Sequence, residues 1–196
     1  MTKIIGLTGG IGSGKTMVAQ YIQSQGIPVY IADEEAKKVM NTPEVIAAVV
    51  KTFGNDVIDN GSVNRQKLAQ LVFNSPEKLK QLNEIIHPRV KQDFDNWVEK
   101  HHNFPFVVKE AAILFESGSY QFCDKIITVT APLPVRLQRV MERDSVTRDQ
   151  VLARMQNQWD DEKKVALSDF VIQNICIEDT KSQVDNILKT LRKNQY

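Results

Sequence analysis

Cysteine is scarce. Cys123 and Cys176 are the only two in 196 residues and fit no C-x-x-C spacing, so a disulfide framework and a thiolate zinc site are both unexpected. Reduced thiols point instead to a cytoplasmic setting. A net charge of +1 gives no global field to recruit nucleic acid. Long apolar runs are missing too: none approaches the ~20 residues that span a bilayer. The opening Met-Thr-Lys-Ile-Ile-Gly-Leu-Thr reads as a buried strand, with no basic region before it and no small-residue cleavage site after it, so neither a leader nor a membrane anchor is expected. There is no internal repeat, low-complexity tract or flexible linker. What remains, 42% hydrophobic and 25% charged residues, is ordinary globular usage. The length suits one α/β core with an insertion.

Local patterns fill in the order of elements. Strands are expected at Lys3–Leu7, Pro28–Ala32, Phe104–Lys109, Lys125–Thr130 and Phe170–Ile172, with helical patterns between them, as in a parallel sheet joined by crossover helices. The stretch from Thr42 to His101 reads as helical throughout, without a convincing strand. Within it Asn74 is the expected N-cap of a helix with Pro76 in its first turn. His87-Pro88 is expected to separate one helical stretch from the next. Thr180–Lys193, with Val184, Ile187, Leu188 and Leu191 at helical spacing, should pack as a terminal helix.

The class of chemistry follows from one segment. Gly9-Gly10-Ile11-Gly12-Ser13-Gly14-Lys15-Thr16 fits G-x-x-x-x-G-K-[ST] at every fixed position, after a strand and at the start of a helix. Glycines let successive N–H groups turn inward onto phosphate oxygens, and the helix N-terminus adds its positive end. Lys15 supplies a cation for the β- and γ-phosphates, and the Thr16 hydroxyl can ligate Mg²⁺. A dinucleotide fingerprint is the sharper rival, since Gly10-Ile11-Gly12 opens like G-x-G-x-x-G and Asp33 follows at about the ~20-residue offset of that site. Lys15 excludes it, because that fingerprint needs a small residue there for close helix packing. The guanine-specifying N-K-x-D tetrapeptide is absent from the sequence. A small-molecule kinase with a helical substrate region and an arginine-bearing lid suits this length. On the residues alone, Asp33 is either a helix N-cap or a group facing the acceptor hydroxyl.

The chain also resembles one family, the dephospho-coenzyme A kinases, over nearly its whole length. The resemblance is carried by Ile5–Thr16, Ala32-Asp33, Ile86-His87-Pro88, Leu114-Phe115-Glu116, Arg143–Arg148 and Ala166–Asn174, in that order. It implies a three-layer α/β/α P-loop fold with a parallel five-stranded sheet. It also implies a core of residues 1–41 and 102–196, a helical substrate region at 42–101 and a lid at about 146–158. The implied activity is ATP- and Mg²⁺-dependent phosphorylation of the ribose 3′-hydroxyl of dephospho-coenzyme A by a monomer. A nucleoside or nucleoside-monophosphate kinase is the nearest alternative, and a non-catalytic nucleotide-binding regulator is the alternative from another class.

The resemblance implies roles for single residues as well. Asp33 becomes the general base or hydroxyl-orienting group, and Lys15 and Arg143 act on the transferring phosphoryl group. Arg139 and Asn174 join residues 10–16 in holding the nucleotide, while His87, Glu116 and Arg148 line the substrate. His87, beside a helix-breaking proline, is equally open to a structural reading. Arg136 and Arg154 are read as solvated helix-face residues. The chain departs from the family's usual pattern twice. Ile31-Ala32-Asp33 stands where two aspartates flank an alanine, and Glu110-Ala-Ala-Ile-Leu-Phe-Glu116 replaces Asp-x-Pro-Leu-Leu-Phe-Glu. Glu110 remains the expected outer-sphere partner of Mg²⁺.

Overall fold

Alternating apolar runs and glycine or proline stops build the chain as strand, helix, strand. The structure, a computed structural model, describes residues 2–73 and 75–193. Strand β1 (Lys3–Thr8) leads into α1 (Lys15–Ser24), and β2 (Val29–Ile31) follows. The chain then enters a second unit containing α2 (Ala32–Met40), α3 (Pro43–Phe53), β3 (Ile58–Asp59), β4 (Ser62–Val63), α4 (Arg65–Phe73) and α5 (Pro76–Lys100). It returns through β5 (Phe106–Glu110), β6 (Lys125–Thr130), α6 (Leu133–Asp144), α7 (Arg148–Met155), α8 (Asp161–Ala166), β7 (Phe170–Gln173) and α9 (Ile177–Lys193).

The first unit, Met1–Ile31 with His101–Tyr196, is a parallel sheet flanked by helices. Its five strands run in the order β2-β5-β1-β6-β7, and each neighbouring pair is parallel. Strands covered on both faces should read as continuous apolar runs, and Ile5, Leu7, Val108, Ile127, Val129 and Ile172 are all buried. Val18 and Ile22 of α1 and Val184, Leu188 and Leu191 of α9 pack on them. The terminal-helix expectation therefore holds. Because every strand points the same way, the carboxyl ends of β1, β2 and β5 lie side by side, with Leu7 and Ile31 both in register with Glu110. That edge is where open α/β sheets bind ligands.

The second unit, Ala32–Lys100, closes its own core over Val45, Val49, Val57, Leu68 and Leu82. It starts ten residues earlier than the boundary expected after residue 41, because Val39 and Met40 of α2 pack into this core. Two further expectations are corrected. A small antiparallel hairpin, β3–β4, interrupts the helices; Asn60 and Gly61 turn it with φ of 49° and 77°, the left-handed pair that a two-residue hairpin loop demands. Pro88 does not divide the helices either, for α5 runs unbroken from Pro76 to Lys100. A proline removes a single N–H donor and crowds one turn, and burial of Leu82 and Phe94 on either side outweighs that loss. Asn74 lies outside the described residues; the Lys78 N–H reaches the Ser75 hydroxyl at 3.3 Å, so Ser75 caps α5.

Candidate active site

The phosphate loop, residues 9–16, leaves β1 at the sheet's carboxyl edge and delivers Lys15 as the first residue of α1. Its shape is fixed from behind. Gly14 has φ +90°, and a Cβ there would lie 2.0 Å from Asn174 Nδ2, so glycine is required both by conformation and by space. Asn174 is buried; its Nδ2 donates to the Ser13 carbonyl at 2.8 Å, and the Thr180 hydroxyl donates to its Oδ1 at 3.1 Å. Its backbone N–H donates to the Thr130 carbonyl. Asn174, expected to help hold the nucleotide, has its carboxamide turned to the loop.

Lys15 Nζ lies 3.8 Å from Glu110 Oε1, with side chains only 12% and 9% exposed. A mobile cation and a carboxylate thus meet where the strands end, with the Thr16 hydroxyl on the neighbouring first turn of α1. Arg139, on α6, comes close to the same loop: its Nη1 would be 3.8 Å from a Cβ on Gly14. That nitrogen is buried without a hydrogen-bond partner, and so are the hydroxyls of Thr8 and Ser13. Buried donors left open beside a glycine-rich loop at a helix N-terminus have the chemistry to take a polyphosphate.

The remaining arginines of α6 and α7 divide into two groups. Arg143 and Arg148 are exposed. Arg143 grips Asp144 with Nε and Nη2 at 2.7 and 3.0 Å, and Arg154 adds a third bond to the same carboxylate at 2.8 Å. The bonds from Arg143, with its charge, hold the Asp144 carboxyl below its usual range, and those from Arg154 act the same way. Arg148 opens α7 behind a capping box in which Thr147 and Gln150 satisfy each other's N–H. Arg154, read from sequence as solvated, is thus part of this surface cluster.

Arg136, also read as solvated, is instead buried. Its Nε donates to the Ile11 carbonyl at 2.9 Å and its Nη1 to Asp161 Oδ2 at 2.6 Å. The available signal was its spacing: Arg136 stands beside Leu137 and four residues before Val140, both on the buried face of α6, so it points inward.

Glu116 is committed within the protein. Its Oε1 accepts from the Trp159 N–H at 2.8 Å and pairs with Lys164 Nζ at 2.8 Å. Burial alone would raise its carboxyl, yet the Lys164 bond, with backbone N–H groups of Glu116 and Trp159, holds it below the usual value. Trp159 stacks on Phe115 at 5.9 Å, and Lys163 covers the indole at 3.6 Å. Sequence reasoning missed Lys164, whose completely buried side chain sits in an otherwise polar segment with no pattern to mark it.

In the second unit Asp33 is the second residue of α2, not its cap, and is exposed two residues past the end of β2. His87 is exposed on α5, in an open groove with Leu79, Lys80, Glu84 and Pro88.

Known proteins resemble this chain in sequence and in fold. The sequence model of the family described as dephospho-CoA kinase matches residues 3–179. A dephospho-CoA kinase of Fusobacterium nucleatum is 38% identical, with 96% of this chain and 98% of the relative covered. Among solved structures, a Thermus thermophilus protein superposes with a TM-score of 0.88 at 33% identity, covering 96% of this chain and 97% of that one. The dephospho-CoA kinase of Campylobacter jejuni gives 0.73 at 25% identity over the full length of both chains. With a family model matched over residues 3–179 and a relative 38% identical over nearly the full length of both chains, this chain belongs to the dephospho-CoA kinase family.

Proposed function

We propose that the protein transfers the γ-phosphoryl group of ATP to the ribose 3′-hydroxyl of dephospho-coenzyme A, giving coenzyme A and ADP. One observation carries the reading: in a chain of this family, Lys15 and the unpartnered Arg139 Nη1 border a loop that Asn174 holds in shape. The acceptor oxygen bonds to the γ-phosphorus as the bond to the β–γ bridging oxygen breaks, and the hydroxyl proton leaves to Asp33 or to solvent. With a loose transition state, orientation outweighs full proton removal, so Asp33 acts as the orienting group or as the base. Lys15 and the loop of residues 10–16 hold the phosphates, apart from the Ile11 and Ser13 N–H groups, which the protein itself engages. Arg143 and Arg148 turn from the lid surface onto the transferring group, where a planar guanidinium suits its oxygens. His87 lies toward the acceptor, and Glu116 acts on it indirectly, through the lid segment that it anchors.

Mg²⁺ fits the donor set, because the Thr16 hydroxyl and the Glu110 carboxylate are hard oxygen ligands, and this ion keeps most of its waters. When bound it neutralises charge between the β- and γ-phosphates. The same reading makes the protein a cytoplasmic monomer; among the described residues no helix is long and apolar enough to cross a membrane.

The test is ADP release with ATP and Mg²⁺, comparing dephospho-coenzyme A with AMP, adenosine and no acceptor, and with Asp33→Asn as control. Release that requires dephospho-coenzyme A, yields coenzyme A and collapses in Asp33→Asn is the expected outcome. Turnover with AMP or adenosine alone would move the protein to the nucleoside or nucleotide kinases. No turnover with any acceptor would leave a nucleotide-binding regulator.

A further inference from the structure

The most mobile part of a phosphate loop should be Gly10-Ile11-Gly12, since two of its three residues lack a Cβ. Here the middle residue is held at both of its backbone groups. The Ile11 N–H donates to Gln158 Oε1 at 2.9 Å, and the Ile11 carbonyl accepts from Arg136 Nε at 2.9 Å. Those groups belong to two successive peptide planes, so holding both fixes the backbone between them. The Ile11 side chain packs on Leu137, Val140 and Val151, the cluster at the base of the lid.

The two partners are themselves tied together. Arg136 Nη1 meets Asp161 Oδ2 at 2.6 Å, and Asp161 lies three residues beyond Gln158. Trp159, between them, is anchored on Glu116. Gly10 makes the arrangement possible: a Cβ there would lie 2.3 Å from Arg136 Nη2 and 2.8 Å from Asp161 Oδ1. A ring therefore runs from Ile11 through Gln158 and Asp161 to Arg136 and back.

We propose that Arg136 and Gln158 are positioning residues that clamp Ile11 and couple the trailing end of the lid to the phosphate loop. The clamp stiffens the loop before phosphates arrive, so that less ordering is left for binding to supply. It also registers lid position in the loop, because displacement of residues 158–161 withdraws the Gln158 bond to Ile11 and the Asp161 carboxylate that holds Arg136. The proposal rests on the loop's binding of nucleotide phosphates but not on the identity of the acceptor.

The test is ADP binding by titration calorimetry, without acceptor, on Arg136→Ala, Gln158→Leu, their double variant and Gln158→Glu. Thermal midpoints and the KM for ATP are measured beside it. Each single substitution should weaken ADP about 10-fold, the scale of one lost hydrogen bond to a charged or buried group. The double variant should fall well short of the ~100-fold product of the two, as coupled residues do. Gln158→Glu keeps an acceptor for the Ile11 N–H and should stay within about threefold of the wild type. KM for ATP should rise with kcat less affected, the mark of lost ground-state binding.

A second route avoids removing the buried arginine alone. Gly10→Ala should weaken ADP by pushing on Arg136, and adding Arg136→Ala should make matters no worse. ADP affinities within about twofold of wild type for both single variants, or a Gln158→Glu protein as weak as Gln158→Leu, would overturn the clamp. If Arg136→Ala does not fold, the Gln158 pair decides in the same way. Because ADP binding needs no acceptor, a wild type that ignores dephospho-coenzyme A would sink the functional reading and leave the clamp standing.

Discussion

Lys164→Met tests the buried ion pair with Glu116 most directly. The lysine side chain is wholly buried, and its Nζ lies 2.8 Å from Glu116 Oε1. Methionine keeps most of the aliphatic volume, so the loss is electrostatic rather than a cavity. Removing one partner of a buried ion pair costs about 3–5 kcal/mol, because the other charge is left uncompensated. The lower end applies, since Glu116 is 14% exposed and keeps the Trp159 N–H at 2.8 Å. For a chain of this size each kcal/mol moves the melting midpoint by about 2–4 °C, so a loss of ~3 kcal/mol lowers it by about 6–12 °C. Thermal unfolding followed by near-ultraviolet circular dichroism measures this. Glu116→Gln should also destabilise, and the double variant should recover about 2 kcal/mol relative to the sum of the singles, because neither charge is then stranded. A Lys164→Met protein melting within about 2 °C of wild type, or a strictly additive double variant, would refute the pairing.

Glu116 also sets an acid limit. Its carboxyl is held below the usual value in the folded protein, so its contribution is complete above the unfolded value of about 4.3 and disappears as pH falls through the lower folded one. The stability gap between wild type and Glu116→Gln should begin to close as pH falls below about 5 and vanish once pH is below the lowered folded value. Asn174→Asp keeps the acceptor for Thr180 but removes the donor to Ser13 and sets oxygen against oxygen; KM for ATP should rise about 10-fold, and an unchanged KM would separate Asn174 from the loop's shape. Burial pushes the Cys123 thiol up to about 11, whereas Cys176 is exposed. Iodoacetamide near neutral pH should therefore label Cys176 first, which peptide mass mapping would show.

The phosphate loop and the five strands are legible in the sequence because each is dictated locally. Gly14 can be nothing larger, and Ile5, Leu7, Ile127 and Val129 can only be buried. The hairpin is missed although Asn60-Gly61 is a strong two-residue turn signal, because its strands, Ile58–Asp59 and Ser62–Val63, are too short to show alternation. Pro88 misleads for the opposite reason. Its local penalty is real, but the burial that outweighs it comes from Leu82 and Phe94, several residues away on either side.

The arginines show where sequence reasoning must stop. Arg136, Arg139, Arg143 and Arg154 are chemically identical, and their fates are set by the acceptor each one meets. Arg143 meets its neighbour Asp144 and stays at the surface, while Arg136 meets Asp161, 25 residues away, together with a backbone carbonyl of the loop. Arg139 has a buried nitrogen with no hydrogen-bond acceptor among the described residues. An arginine satisfied by the protein stiffens the site, and one left open beside the phosphate loop is available to a nucleotide. Only the fold brings those acceptors within reach or withholds them, and so the same residue type divides into clamp, surface pair and open donor along a single helix.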